Sequence, residues 1–141
     1  MKEIARVLAA ASLLLAGAPS AFAEAGKIGV EFNDLQPAES GCRAVFVLNN
    51  GLDKPLDAFA LRVVAFDTED HATLFMSLDV GALPVGKTRV LRFDLGADVA
   101  CDGISRLILD DVTRCDGDGL DPAACLAAIA LSSKAKAPIA F

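Results

Sequence analysis

"TLFMSLDV", residues 73–80, sets Leu74, Met76, Leu78 and Val80 on one side of an extended chain and Thr73, Phe75, Ser77 and Asp79 on the other. Successive side chains leave a pleated strand on opposite faces, so a period of two marks a half-buried β-strand. The first set, Met76 included, is expected to be buried. The same period recurs on both sides of this stretch. Upstream, 28–35 alternates Ile28, Val30 and Phe32 against Gly29, Glu31 and Asn33. Residues 42–49 align Cys42, Ala44, Phe46 and Leu48, and 58–67 align Phe59, Leu61, Val63 and Ala65. Downstream, 88–95 points Leu91, Phe93 and Leu95 inward. Residues 104–112 are apolar on both faces near the middle, which predicts a central strand.

Turn signals separate these runs: Asn50-Gly51 with Pro55, the polar "TEDHA" at 68–72, and Pro84 with Gly86. Short alternating strands at this spacing predict an all-β protein, an immunoglobulin-like antiparallel β-sandwich. A small barrel satisfies the same pattern.

The chain has 141 residues. Lys2 and Arg6 precede an uncharged stretch at 7–18, then Pro19 and the small-x-small triplet Ala21-Phe22-Ala23. This is the pattern of a secretory signal peptide at 1–23, leaving one domain at 24–141. The apolar run is shorter than the roughly 20 residues of a membrane span, so no membrane association is expected after cleavage. No Arg-Arg pair stands in the leader, so the general secretory route is expected, with the periplasm or the medium as destination. Lys2, Glu3 and Arg6 leave with the leader, and the remainder carries 11 basic and 18 acidic side chains. An acidic chain with scattered basic residues does not suit nucleic acid.

Export makes disulfides the first reading of Cys42, Cys101, Cys115 and Cys125. Three pairings are possible. In an up-and-down series of strands, those starting near Cys42 and Ile104 are four apart. They therefore begin at the same end of the sandwich, which favours Cys42–Cys101 and leaves Cys115–Cys125 as a local link.

"CDGDGLDPAAC", residues 115–125, invites a calcium reading. A helix-loop-helix site needs oxygen ligands at positions 1, 3 and 5, Gly at 6 and Glu at 12. Starting from Asp116 and Asp118, those last three positions hold Leu120, Asp121 and Ala127. A looser cation site would draw on Asp116, Asp118 and Asp121, with Asp110 or Asp111. The alternative is a disulfide-closed connector in which Asp121 caps a short helix and Pro122 opens it. From that helix, 131–141 is expected to return as a final strand with Ala135, Ala137, Ile139 and Phe141 on one face.

Catalytic constellations are not evident. His71 is the one histidine, in a polar connector, so a Ser-His-Asp or Cys-His site would have to use it. There is no Trp or Tyr to stack a sugar ring and no phosphate-binding glycine loop. The chain is expected to be non-enzymatic, with no cofactor. Binding remains, and the apolar residues on outward faces are Val64, Phe66, Phe75 and Val90. Either they form a patch for a partner, expected to be another envelope protein, or the short helix, or the stems of Arg62 and Arg92, cover them.

Residues 48–95 resemble the FxLYD-type group of secreted bacterial immunoglobulin-like domains. The resemblance rests on Asn49-Asn50 in a turn, on Phe66-Asp67 closing a strand and on Pro84-Val85-Gly86 before the next strand. "VVAFD", 63–67, stands where that group has F-x-L-Y-D. The cysteine-bearing tail is similar to that of small exported proteins labelled twin-arginine signal domain proteins. The resemblance implies a sandwich and supplies no catalytic residues.

Overall fold

The computed structural model describes residues 24–141, and the expected leader at 1–23 lies outside the described residues. In chain order the elements are β1 (Ile28–Pro37), β2 (Cys42–Asn50), β3 (Leu56–Phe66), β4 (Ala72–Leu83) and β5 (Thr88–Asp94). A 3-10 turn (Cys101–Gly103), β6 (Arg106–Asp116), α1 (Pro122–Ala128), β7 (Ile129–Ser133) and β8 (Ile139–Ala140) follow. The strands form two four-stranded sheets, β5-β2-β1-β7 and β4-β3-β6-β8, packed as a sandwich. Strands one, two and five share one layer and three, four and six the other.

The alternation visible in the sequence is what the sheets bury. Ile28, Val30, Phe32, Ala44, Phe46 and Leu48 from one layer meet Phe59, Leu61, Val63 and Leu107 from the other. Phe32 and Phe46 are cross-strand partners with stacked rings 5.3 Å apart, and Phe93 meets Phe46 edge-on at 6.0 Å. Such offset and edge contacts suit the quadrupole of the ring. A bulge at Asn33 shifts the register of β1, which brings Leu35 opposite the inward Ala44 and carries the strand on to Pro37.

Two expectations are corrected. Leu74 and Met76 point inward but are only half-buried, whereas Leu78 and Val80 on the same strand are buried. The reason is position: β4 and β5 are edge strands at the same side of the two sheets, and the layers part between them. A groove of about 380 Å³ opens there over Leu74, Met76, Phe93 and Leu95.

The tail at 131–141 is not one strand either. β7 runs parallel to β1, and β8 runs parallel to β6 in the other sheet. The backbone N–H groups of Lys134 and Ala135 both donate to the carbonyl of Phe32, which turns the chain off the edge of β1. Ala137 and Ile139 are buried after the crossing, and Phe141 is exposed.

Both expected disulfides are present. Cys42 and Cys101 lie 5.0 Å apart at Cα, and Cys115 and Cys125 lie 6.4 Å apart. The close approach at the first is prepared by Gly41, whose φ is +82° and whose Cα faces the Gly96 carbonyl so tightly that a Cβ would collide with it. The N–H of Leu95 then donates to the carbonyl of Cys42 at 2.8 Å, which brings the chain towards Cys101. The second link ties β6 to α1. Asp121 accepts a hydrogen bond from the Ala124 N–H at 2.7 Å, and Pro122 opens the helix, as expected.

Asn50 closes β2 and, among the described residues, is the polar side chain buried completely. Its amide donates to the carbonyls of Lys54 at 3.0 Å and Leu83 at 2.9 Å. Its side-chain oxygen accepts from the Leu52 N–H at 3.0 Å. One side chain thus joins the turn leading into β3 to the end of β4. In the sequence this residue reads as an ordinary turn asparagine.

Candidate functional site

The outer face of β4-β3-β6-β8 carries an apolar row. Phe75 pairs with Val64, Val64 with Ile108 and Ile108 with Ala140, so these four side chains cross the sheet on one face. Phe75 is 69% exposed, Ile108 is half-buried, and Val64 between them is 6% exposed. On one flank Arg62 bridges Asp110 and, at 3.4 Å, Asp111. The Asp110 hydrogen bond and charge push the Arg62 pKa up, so this guanidinium remains charged. On the other flank Arg106 lies 3.7 Å above the ring of Phe66 and reaches Asp70 at 2.8 Å. The row is therefore an apolar strip between two bands of paired charge.

Of the four outward residues picked from sequence, the structure joins Val64 and Phe75. Phe66 lies on the same face but is capped by Arg106, and not by the short helix or the stems of Arg62 and Arg92. Val90 belongs elsewhere: it pairs with Val47 in the other sheet and is 58% exposed there. That second outer face holds a trough of about 470 Å³ over Gly29, Val47, Asn49 and Ala130. Lys134 with Glu31 (3.2 Å) lies at its border, and it holds no aromatic side chain. Ile108 and Ala140 are not singled out by the sequence. The signal available for Ile108 was the apolar character of both faces of its strand.

The acidic loop after β6 does not gather its carboxylates. Asp116 pairs with Arg114 at 2.7 Å, Asp121 caps α1, and the Asp118 carbonyl accepts from Lys54 at 3.2 Å. Asp110 and Asp111 are turned towards Arg62.

Among the described residues, the metal-ligating side chains that converge are Asp67, Glu69 and His71, with one donor atom from each within 4.8 Å of the others. They occupy the tight turn between β3 and β4. Asp67 accepts backbone N–H groups from Glu69 and His71, both at 2.9 Å. Asp70 takes a φ of +66°, a conformation that aspartate tolerates. The His71 Nδ1 lies 3.6 Å from Asp67 Oδ2 and 3.8 Å from Glu69 Oε2. An imidazole and two carboxylates so placed could hold a divalent cation at the surface. The turn is already closed by its backbone hydrogen bonds and does not depend on an ion.

Those hydrogen bonds set the protonation of Asp67. The His71 N–H, with a smaller opposing effect of burial and a further N–H from Glu69, holds its carboxyl below the usual aspartate range. A depressed folded-state pKa contributes stability above the unfolded value and loses it as pH falls through the folded one. Wild type should therefore melt above Asp67→Ala at neutral pH, and the gap should close on acidification through the carboxylate range. A gap in Tm that is independent of pH would show that the Asp67 charge has no part in holding the turn.

No helix among the described residues is long and apolar enough to cross a membrane. Comparison with family models, with curated proteins and with solved structures returned no match.

Proposed function

We propose that this chain is a non-enzymatic envelope protein, periplasmic or secreted, that binds another protein through the outer face of β4-β3-β6. The observation that carries the reading is the apolar row Phe75–Val64–Ile108, with Phe75 69% exposed at its open end. A large exposed aromatic on a flat sheet face, rimmed by charge, is the composition of an interaction surface. Phe supplies the anchor that Trp or Tyr supplies elsewhere. The two disulfides agree with an oxidising compartment. The resemblance of 48–95 to secreted sandwich domains points the same way.

The test is a photo-reactive residue introduced in cells at Phe75, at Ile108 or at Val90. Discrete adducts are expected from the first two positions and not from Val90 on the opposite face. Equal adducts at all three positions, or none at any, would remove the reading.

A further inference from the structure

We propose that the partner is a second copy of the chain, joined at the edge of this face by antiparallel pairing of β4 with β4 across a two-fold axis through Phe75; the inference rests on reading the face that Phe75 opens as an interaction surface. The edges of the sandwich are not equivalent. β5 carries Arg89, Arg92 and Asp94, β7 is five residues long and β8 two. Charge and shortness are the usual guards of a sheet edge. β4 is twelve residues long, and from Thr73 to Leu78 it has no charge and no proline. Its register against β3 is regular from Leu74 to Asp79. This edge also leaves Leu74 and Met76 half-buried and Phe75 exposed.

The stretch is complementary to itself. A two-fold axis normal to the sheet places outward residues opposite outward ones. With the axis at Phe75, the two Phe75 rings meet and Thr73 faces Ser77 of the second copy. On the inner side Leu74 faces Met76 of the second copy, so each covers the flank that the other leaves open. An axis at Met76 would set Phe75 against Ser77 and Thr73 against Asp79. An axis at Leu74 would set Phe75 against Thr73. The register through Phe75 alone matches aromatic to aromatic and hydroxyl to hydroxyl. It is an isologous contact, closed at two copies. The apolar rows of the two copies then join into one strip across both sheets.

The experiment uses the wild type, Phe75→Asp and Phe75→Lys, each sized by chromatography with light scattering. Phe75 is an exposed side chain, so both variants should melt close to wild type. Wild type is expected at twice the chain mass. Each variant alone is expected at the single mass, because like charges face each other across the axis. Their equimolar mixture is expected to return to the double mass, because Asp then faces Lys. A double mass retained by both single variants, or a mixture that stays at the single mass, overturns the pairing. A wild type at the single mass overturns it too. In that case adducts to a different protein at positions 75 and 108 would leave the interaction-surface reading standing, and their absence would end both.

Discussion

Asn50→Asp should destabilise the protein by about 3–5 kcal/mol at neutral pH, the loss expected from breaking a buried hydrogen-bond network and burying an unpaired charge. The native amide nitrogen faces two carbonyl oxygens, those of Lys54 and Leu83, in a site with no exposure. A carboxylate there turns two attractions into repulsions and loses its own hydration. Only the Leu52 N–H would still find an acceptor. The pH dependence separates this cause from simple mispacking. In Asn50→Asp, burial and the facing carbonyls raise the folded-state pKa of the new carboxyl above its unfolded value. Its destabilisation is therefore full above the folded pKa and diminishes as pH falls through it. Asn50→Ala orphans the same groups without adding a charge, so its loss should not vary with pH in this way. Urea unfolding of the three proteins at several pH values measures both effects. A fully folded Asn50→Asp protein with an unchanged midpoint would show that the two turns do not depend on this side chain.

Replacing both Cys42 and Cys101 by Ala should cost about 4 kcal/mol and lower the melting temperature by roughly 15 °C. The link spans 59 positions in sequence, so it removes much more freedom from the unfolded chain than the Cys115–Cys125 link, which spans 10. By the same chain-entropy relation, the shorter link is worth about 3 kcal/mol. The longer bond also joins the start of β2 in one sheet to the turn that leads into β6 in the other. Without it, the Gly41–Gly96 approach depends on backbone contacts alone. Thermal melts of the two double-Ala variants against wild type check the order. Equal losses, or a greater loss at Cys115–Cys125, would contradict the chain-entropy account.

The inner faces were legible because alternation is a local property. Ile28, Val30 and Phe32, or Phe59, Leu61 and Val63, announce a buried side without reference to any other strand. The helix start was legible for the same reason: Asp121 and Pro122 act within one turn. The disulfide pairing needed one further step, counting strand directions, and that count survives as long as the strands alternate up and down.

The candidate surface was harder to read. Val64 and Phe75 could be picked out, but nothing near Val90 says that its strand lies in the other sheet. Ile108 completes the row only because β6 pairs with β3 in one particular register. The half-exposure of Leu74 and Met76 follows from β4 having a neighbour on one side alone, which its own alternation does not record. Asp67, Glu69 and His71 sit in a stretch that reads as a polar connector, and a tight turn brings them together.

Local chemistry therefore settled the strand content, the buried face of most strands and the short helix, and strand direction favoured the cysteine pairs. Pairing across long separations settled the rest: the edge strands, the parallel placement of β7 and β8, the apolar row on one outer face and the role of Asn50. The division follows from the range of the forces involved. The steric preference of the backbone and the alternation of its side chains act between adjacent residues, whereas a sheet position, an exposed flank or a buried amide exists only once distant segments have met.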